Sequence, residues 1–176
     1  SNKKIGEIGE KKNYPKSFDL IYQGSIGTIV HHYLEHQDFN PSLLSVESRL
    51  REMGIPSKLL MTFSSSIMEM LSKTREDKHF DWIFKYRDST EVESEYRNSS
   101  QSVVIDRLFI DDGTLWIIDF KTASIDKGET VGEFINRQKL SHQSQIIKYK
   151  EVLNDFYDLP SKAAIYCPAE SQLIFL

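Results

Sequence analysis

The chain has 176 residues and a mass of 20.5 kDa, which is enough for one domain with its own hydrophobic core. Its residues are 39% hydrophobic and 27% charged, as in ordinary globular domains, and no apolar run approaches the roughly 20 residues that span a bilayer. The single cysteine, Cys167, excludes an internal disulfide framework and a four-cysteine iron–sulfur cluster, and the net charge of −4 is unlike that of a free-standing basic DNA-binding domain.

The N-terminal part of the sequence predicts a tail followed by helices. Residues 1–18 are polar, lysine-rich and without periodicity, which is typical of a flexible tail or linker, and we expect residues 19–176 to form a single domain. Apolar residues at helical spacing predict a helix from about Ser25 to His36. Two more helices are predicted, from Ser45 to Met53 and from Ser57 to about Lys73, and they form an additional helical region ahead of the strands.

The segment from Phe80 to Tyr96 predicts one or two short strands. In its first half, aromatic residues alternate with charged and polar neighbours, at Trp82, Phe84 and Tyr86. In its second half, three glutamates alternate and would share one face of a strand, at Glu91, Glu93 and Glu95. Three like charges in a row usually mark a solvated edge strand, although one of them can still reach a functional site.

The most informative stretch is a pair of apolar strands joined by a tight turn, between Gln101 and Thr122. Asp112-Gly113 favours the turn, because these residue types tolerate the positive φ that hairpin turns require. Asp106 interrupts the first strand, and Asp119 and Lys121 share one face of the second. A buried carboxylate costs several kcal/mol unless it is paired or binds a metal, so two acids beside a lysine predict a site for a hard cation. The alternative is that Asp119 and Lys121 form a surface ion pair where the strand emerges.

The remainder of the chain predicts a long helix and two final strands. Apolar residues at helical spacing predict a helix from about Val131 to Phe156, and Gln145 and Tyr149, four residues apart, share one side of it. The final strands are predicted at Lys162–Tyr166 and Leu173–Leu176. The order of the elements predicts an α/β fold with a mixed sheet flanked by helices.

Several of these motifs follow one another as in a known nuclease signature. Ile105-Asp106 followed by Asp119-Phe120-Lys121 resembles the PD-(D/E)XK signature, and the longer string VIDRLFIDDGTLWIIDFKT resembles the RecB/AddA-type nuclease domain of UvrD-like helicase–nucleases. Gly27-Thr28-Ile29-Val30-His31 resembles the GT-x-x-H helix of that family, Ser94-Glu95-Tyr96 resembles its glutamate-bearing strand, and Gln145 with Tyr149 resembles its Q-x-x-x-Y helix. The sequence departs from the pattern at Val103, where many relatives have glycine.

The resemblance implies a restriction-endonuclease-like fold and a metal-dependent DNA nuclease, an exonuclease that hydrolyses phosphodiester bonds. It implies that Asp106 and Asp119 are the principal ligands of Mg²⁺, joined by the backbone carbonyl of Phe120 and by His31 from the opposing helix. Because Mg²⁺ prefers oxygen ligands, a histidine ligand indicates that Mn²⁺ is accepted as well. No iron–sulfur cluster is expected.

The same resemblance implies roles for the remaining motif residues. Lys121 would orient or help deprotonate the attacking water and stabilise the developing charge. Glu95 would bind a second ion or its waters, with Glu93 as the alternative. Gln145 and Tyr149 would border the active site, where they touch the scissile strand or the lysine.

The resemblance also implies partners. These are DNA, as single strands or ends, the helicase motor region of the same chain, and a second helicase–nuclease subunit. Ser1-Asn2 resembles a cloning remnant, and we expect a C-terminal fragment of a longer cytoplasmic helicase–nuclease of DNA repair and recombination, without membrane contact. The acidic net charge predicts weak, sequence-independent DNA binding by the chain alone. Two alternatives stay open: a non-catalytic nuclease-like DNA-binding or scaffold module, and a restriction-type endonuclease.

Overall fold

Four helices precede the sheet in the described part of the chain. The computed structural model describes residues 16–176, with side chains from Ile21 onward, so the predicted tail lies outside the described residues except for residues 16–18. Those three residues are the start of a helix, α1 (Lys16–Glu35), which begins well before the predicted Ser25. It is followed by α2 (Leu43–Glu52), α3 (Ser57–Glu76) and the short α4 (Phe80–Phe84). None of the described helices is long and apolar enough to cross a membrane.

A five-stranded mixed sheet forms the rest of the fold. Three antiparallel strands come first, in spatial order β1 (Glu91–Arg97), β2 (Ser102–Asp111) and β3 (Thr114–Phe120). The crossover helix α5 (Val131–Leu153) then leads to β4 (Ser161–Cys167), which lies parallel to β3, and β5 (Gln172–Phe175) completes the sheet antiparallel to β4. The predicted α/β class, a mixed sheet flanked by helices, is confirmed.

The two faces of the sheet pack against different helices. Phe109, Ile118 and Phe120 belong to a core shared with α1 to α4. Ile105, Leu108 and Ile117 belong to a second core, where they meet the buried α5 side chains of Ile146, Tyr149 and Val152. The sheet is therefore covered on both faces, and its central strands read as nearly continuous apolar runs, as expected for strands buried on both sides.

The prediction of a strand in the first half of the Phe80–Tyr96 segment is wrong. The structure has helix α4 there, and a strand begins only at Glu91. Phe80 and Phe84 lie four residues apart, their ring centroids are 5.2 Å apart, and both rings make edge contacts with Phe39 at 4.9 and 4.8 Å. Because residues four apart meet on a helix and not on a strand, this aromatic cluster favours the helical turn.

Strand β2 changes face at Asp106. Residues on alternate positions of a strand share a face, yet Ile105 lies in the core under α5 while Phe109 lies in the core under α1 to α4. Arg107, like Phe109, faces α1 to α4, since its Nε donates to the carbonyl of Ile83 on α4 at 2.8 Å. The pairing between β1 and β2 is interrupted at the same point. Val92 pairs with Arg107 and Ser94 with Ile105, but Glu93 and Asp106 between them are unpaired. Glu93 also has a positive φ, of 47°. Asp106 thus leaves the regular ladder, and its side chain is free for other contacts.

Helix α5 begins where the sequence predicts and ends at Leu153, three residues before the predicted Phe156. A capping box fixes its start: Thr130 Oγ1 accepts from the Glu133 N–H at 3.2 Å, and the Glu133 carboxylate accepts from the Thr130 N–H at 2.8 Å. With its first turn fixed, α5 directs Ile146 and Tyr149 towards the sheet.

Candidate metal centre

Three side chains with metal-binding atoms converge between α1 and β2. They are His31 and Glu35, one turn apart on α1, and Asp106 on β2, and one potential ligand atom from each lies within 4.8 Å of the other two. His31 Nδ1 is 3.9 Å from Asp106 Oδ2, and the two side chains are 29% and 15% exposed. A nitrogen and two carboxylates that are partly open to water are a donor set that suits a divalent first-row ion.

Gly27 faces the residues that follow β3. A Cβ atom at this position would lie 3.4 Å from Thr122 Oγ1, whereas Gly24, one turn earlier, has no atom within 4 Å of the equivalent point. His31 follows Gly27 by four residues and therefore sits one turn further along the same side of α1. The Gly27–His31 motif thus runs along the side of α1 that faces the end of β3, where the histidine meets Asp106.

Asp106 is held in place by the neighbouring strand. Its Oδ2 accepts a hydrogen bond from the Phe120 N–H at 2.7 Å. Burial raises the pKa of this carboxyl, and the carboxylate of Asp119 raises it further, while His31 opposes the rise. A buried carboxyl next to a second carboxylate is a site that a cation would stabilise. For Phe120, the contact seen is through its N–H, and the metal-binding role of its carbonyl stays a prediction.

Asp119 and Lys121 form an ion pair beside the cluster. Lys121 Nζ lies 2.8 Å from Asp119 Oδ2, in ion-pair contact without the alignment of a hydrogen bond, and the Asp119 side chain is only 2% exposed. The alternative of a surface ion pair is therefore wrong for Asp119, which is buried. Asp119 does not belong to the three-residue cluster; its link to the cluster is the electrostatic interaction with Asp106.

Gln145 and Tyr149 reach Asp119 from α5. Gln145 Nε2 donates to Tyr149 Oη at 2.6 Å, and the Tyr149 hydroxyl donates to Asp119 Oδ1 at 3.4 Å. Burial, and then the charges of Asp119 and Asp106, raise the pKa of Tyr149 well above its ordinary range, so the tyrosine keeps its proton and acts as a donor. The predicted Q-x-x-x-Y pair is thus a chain of hydrogen bonds ending on a buried carboxylate.

Glu35 is a member of the cluster that the sequence analysis did not assign. Its pKa is raised from the ordinary value of 4.5 to about 7, first by burial and then by the carboxylates of Glu93 and Asp106. The signal in the sequence was its spacing, because Glu35 follows His31 by four residues and must share its side of the helix.

Glu93, not Glu95, faces the cluster. Glu95 points away: its carboxylate accepts from Ser102 Oγ at 2.8 Å and from the Arg97 guanidinium at 3.0 Å, and these contacts lower its pKa. Glu93 instead lines a cavity of about 330 Å³ together with His31, Glu35 and Asp106. The preference for Glu95 rested on the Ser94-Glu95-Tyr96 motif. The structure instead favours the alternative, Glu93, which lies at the irregular point of β1.

His142 is a second residue that the sequence analysis did not assign to the site. It lies on α5 one turn before Gln145, and its pKa is lowered by burial and then by the positive charge of Lys121.

A scan against protein-family models finds no match for this chain, and a search of curated protein sequences finds none either.

Proposed function

We propose that the chain is a metal-dependent nuclease that hydrolyses phosphodiester bonds of DNA. The observation that carries the proposal is the convergence of His31, Glu35 and Asp106 on one point, next to the buried ion pair of Asp119 and Lys121. Phosphodiester hydrolysis needs an activated water and compensation of negative charge on the phosphate, and a carboxylate-rich site beside an ammonium provides both requirements.

The metal-binding residues in this proposal are His31, Asp106 and Glu35. Their donor set fits Mn²⁺ as well as Mg²⁺, since one of the three ligands is a nitrogen. When bound, the ion supplies a water of lowered pKa and charge compensation for the phosphate. Glu93 lines the same cavity and is the residue that can reach a second ion or its waters.

Lys121 is the residue that we propose to act on the attacking water. The buried carboxylate of Asp119 holds its ammonium at 2.8 Å, which fixes the position of the positive charge. From there the ammonium can orient the water and stabilise charge on the phosphate oxygens. Tyr149 and Gln145 keep Asp119 in place through their hydrogen bonds and hence position the lysine.

The finer assignment rests on the resemblance to RecB/AddA-type domains. We propose an exonuclease module of a helicase–nuclease in DNA repair, acting on single strands or ends. The net charge of −4 opposes the approach of a polyanion, so DNA binding by the chain alone should be weak. Attachment to a helicase motor would raise the effective concentration of DNA at the site without a new contact here.

The test is cleavage of an end-labelled oligonucleotide with Mg²⁺, Mn²⁺ or EDTA. We expect metal-dependent cleavage by the wild-type chain, and its loss in Asp119→Asn and Lys121→Ala. Asp112→Asn is the matched control, because it makes the same chemical change in the same hairpin at an exposed turn residue whose φ of 47° suits asparagine. Binding of DNA without cleavage would favour the non-catalytic module, and cleavage at one defined sequence would favour a restriction-type enzyme. Near wild-type cleavage by folded Asp119→Asn would contradict the proposed site.

A further inference from the structure

A second cavity, the α1–α3 cavity, lies beside the proposed metal centre. It has a volume of about 350 Å³, and its walls come from α1, α3 and the segment that follows β3, including Gln23, Ile26, Phe63, Ser66 and Thr122. Helical spacing puts Gln23 and Ile26 on one side of Gly27, and His31 and Glu35 on the other. Along α1, Gly27 thus lies between the lining residues of the two cavities, and the α1–α3 cavity includes Thr122, the residue after Lys121.

The free polar groups of the α1–α3 cavity are uncharged. Its apolar surface includes Ile26, Phe63 and Met70. Around this surface stand an amide and three hydroxyls that make no side-chain hydrogen bond within the described part of the chain, from Gln23, Thr62, Ser66 and Thr122.

The charged side chains of the cavity already have partners in the protein. Lys73 Nζ lies 3.2 Å from the Glu69 carboxylate and donates to the Ala169 carbonyl at 3.2 Å. The Glu170 carboxylate accepts from the Ile125 N–H at 2.9 Å. A phosphate or a charged peptide side chain would have to displace these contacts, whereas a neutral ring with hydrogen-bonding edges would not.

We propose that the α1–α3 cavity accepts a nucleobase of a single-stranded DNA substrate, next to the phosphate bound at the metal centre. This inference rests on the proposed nuclease function. The volume lies in the range of ligand pockets, about 300–1,000 Å³, and a lining that combines apolar side chains with hydroxyl and amide groups matches the faces and edges of a base. Only an unpaired base can leave the stack to enter a side cavity at low cost, so the cavity would select single strands over duplex.

The experiment measures DNA binding without cleavage, using a short fluorescent single strand in Ca²⁺ instead of Mg²⁺, and a set of strands that each lack one base. Ser66→Trp fills the cavity, and Ser65→Trp is the matched control, because Ser65 is the exposed neighbour on α3 and does not line it. We expect one abasic position to weaken wild-type binding about tenfold, as for the loss of one stacked base. Ser66→Trp should weaken binding of the intact strand by a similar factor and show no further loss with that abasic strand, and Ser65→Trp should behave as wild type.

Three results would overturn the proposal. They are equal binding by Ser66→Trp and Ser65→Trp, tolerance of an abasic site at every position of the strand, and additive losses from Ser66→Trp and the abasic site. Equal melting temperatures of the two variants show that both are folded. Failure of the nuclease proposal is seen separately, as absence of cleavage in Mg²⁺ or Mn²⁺ by a chain that still binds single strands in a base-dependent way.

Discussion

Glu35 allows a quantitative test of the electrostatics of the metal centre. Its pKa rises from 4.5 to about 7 in the folded chain. A carboxyl whose pKa is higher in the folded than in the unfolded state stabilises the fold while it is protonated. Its contribution is therefore complete below about pH 4.5 and is lost as the pH rises through about 7. The full rise in pKa corresponds to roughly 3 kcal/mol, and the partial exposure of Glu35 reduces the effect to about 1–2 kcal/mol.

The perturbation is Glu35→Gln, since glutamine has the shape of the protonated carboxyl and no charge. In EDTA, we expect this variant to have a free energy of unfolding about 1–2 kcal/mol above that of the wild type at about pH 8, and equal to it near pH 4.5. Urea unfolding followed by tryptophan fluorescence measures both values. The exposed Glu52→Gln on α2 is the control, and its difference from the wild type should be the same at both pH values.

Adding Mn²⁺ should reverse the order of stability. An ion that binds only the folded state stabilises it, and the wild type should gain more than the variant because it retains the Glu35 carboxylate. The reasoning is refuted if Glu35→Gln is less stable than the wild type at about pH 8 in EDTA, or if Mn²⁺ stabilises both proteins equally.

Three further predictions concern the elements that hold the site. His31→Ala should weaken Mn²⁺ binding at least about tenfold in calorimetric titration, while His36→Ala, at an exposed residue just past the end of α1, should not. Gly27→Leu should destabilise the chain by about 1–3 kcal/mol through overpacking against the end of β3, whereas Gly24→Leu, with open space around it, should be neutral or stabilising. Thermal unfolding measures both effects. Thr130→Ala should lower the free energy of unfolding by about 1 kcal/mol, because it removes the side-chain cap of α5, and thermal unfolding measures this change as well.

The β2–β3 hairpin was predictable because its signals are local. Asp112-Gly113 adopts the positive φ expected of the turn, at 47° and 67°, and the apolar runs on either side fix the register that brings Asp106 next to β3. The convergence of His31 with Asp106 agrees with the motif order, since each residue lies in a strongly patterned element.

The parts that sequence analysis missed depend on tertiary contacts. Alternating aromatic and polar residues at Trp82 to Tyr86 fit a strand as well as a helical turn, and only the ring of Phe39, far away in the sequence, decides between them. The change of face at Asp106 is equally invisible in the sequence, because both strand faces are apolar there. The choice of Glu93 over Glu95 follows from that irregularity.

The chain topology also determines when the metal centre assembles during folding. Asp106 and Asp119 lie on strands joined by a tight turn, so their pairing closes a short loop. Three helices and strand β1 separate α1 from β2, so α1 reaches Asp106 only by closing a long loop. We expect the hairpin to form early with both carboxylates hydrated. The cost of burying Asp106 would then arise when α1 docks, and the cost of burying Asp119 when α5 docks. Local opening of α1 would then expose the centre while the sheet stays paired, so that a bound ion exchanges faster than the chain unfolds. Metal should accordingly slow hydrogen exchange in α1 more than in β2 and β3.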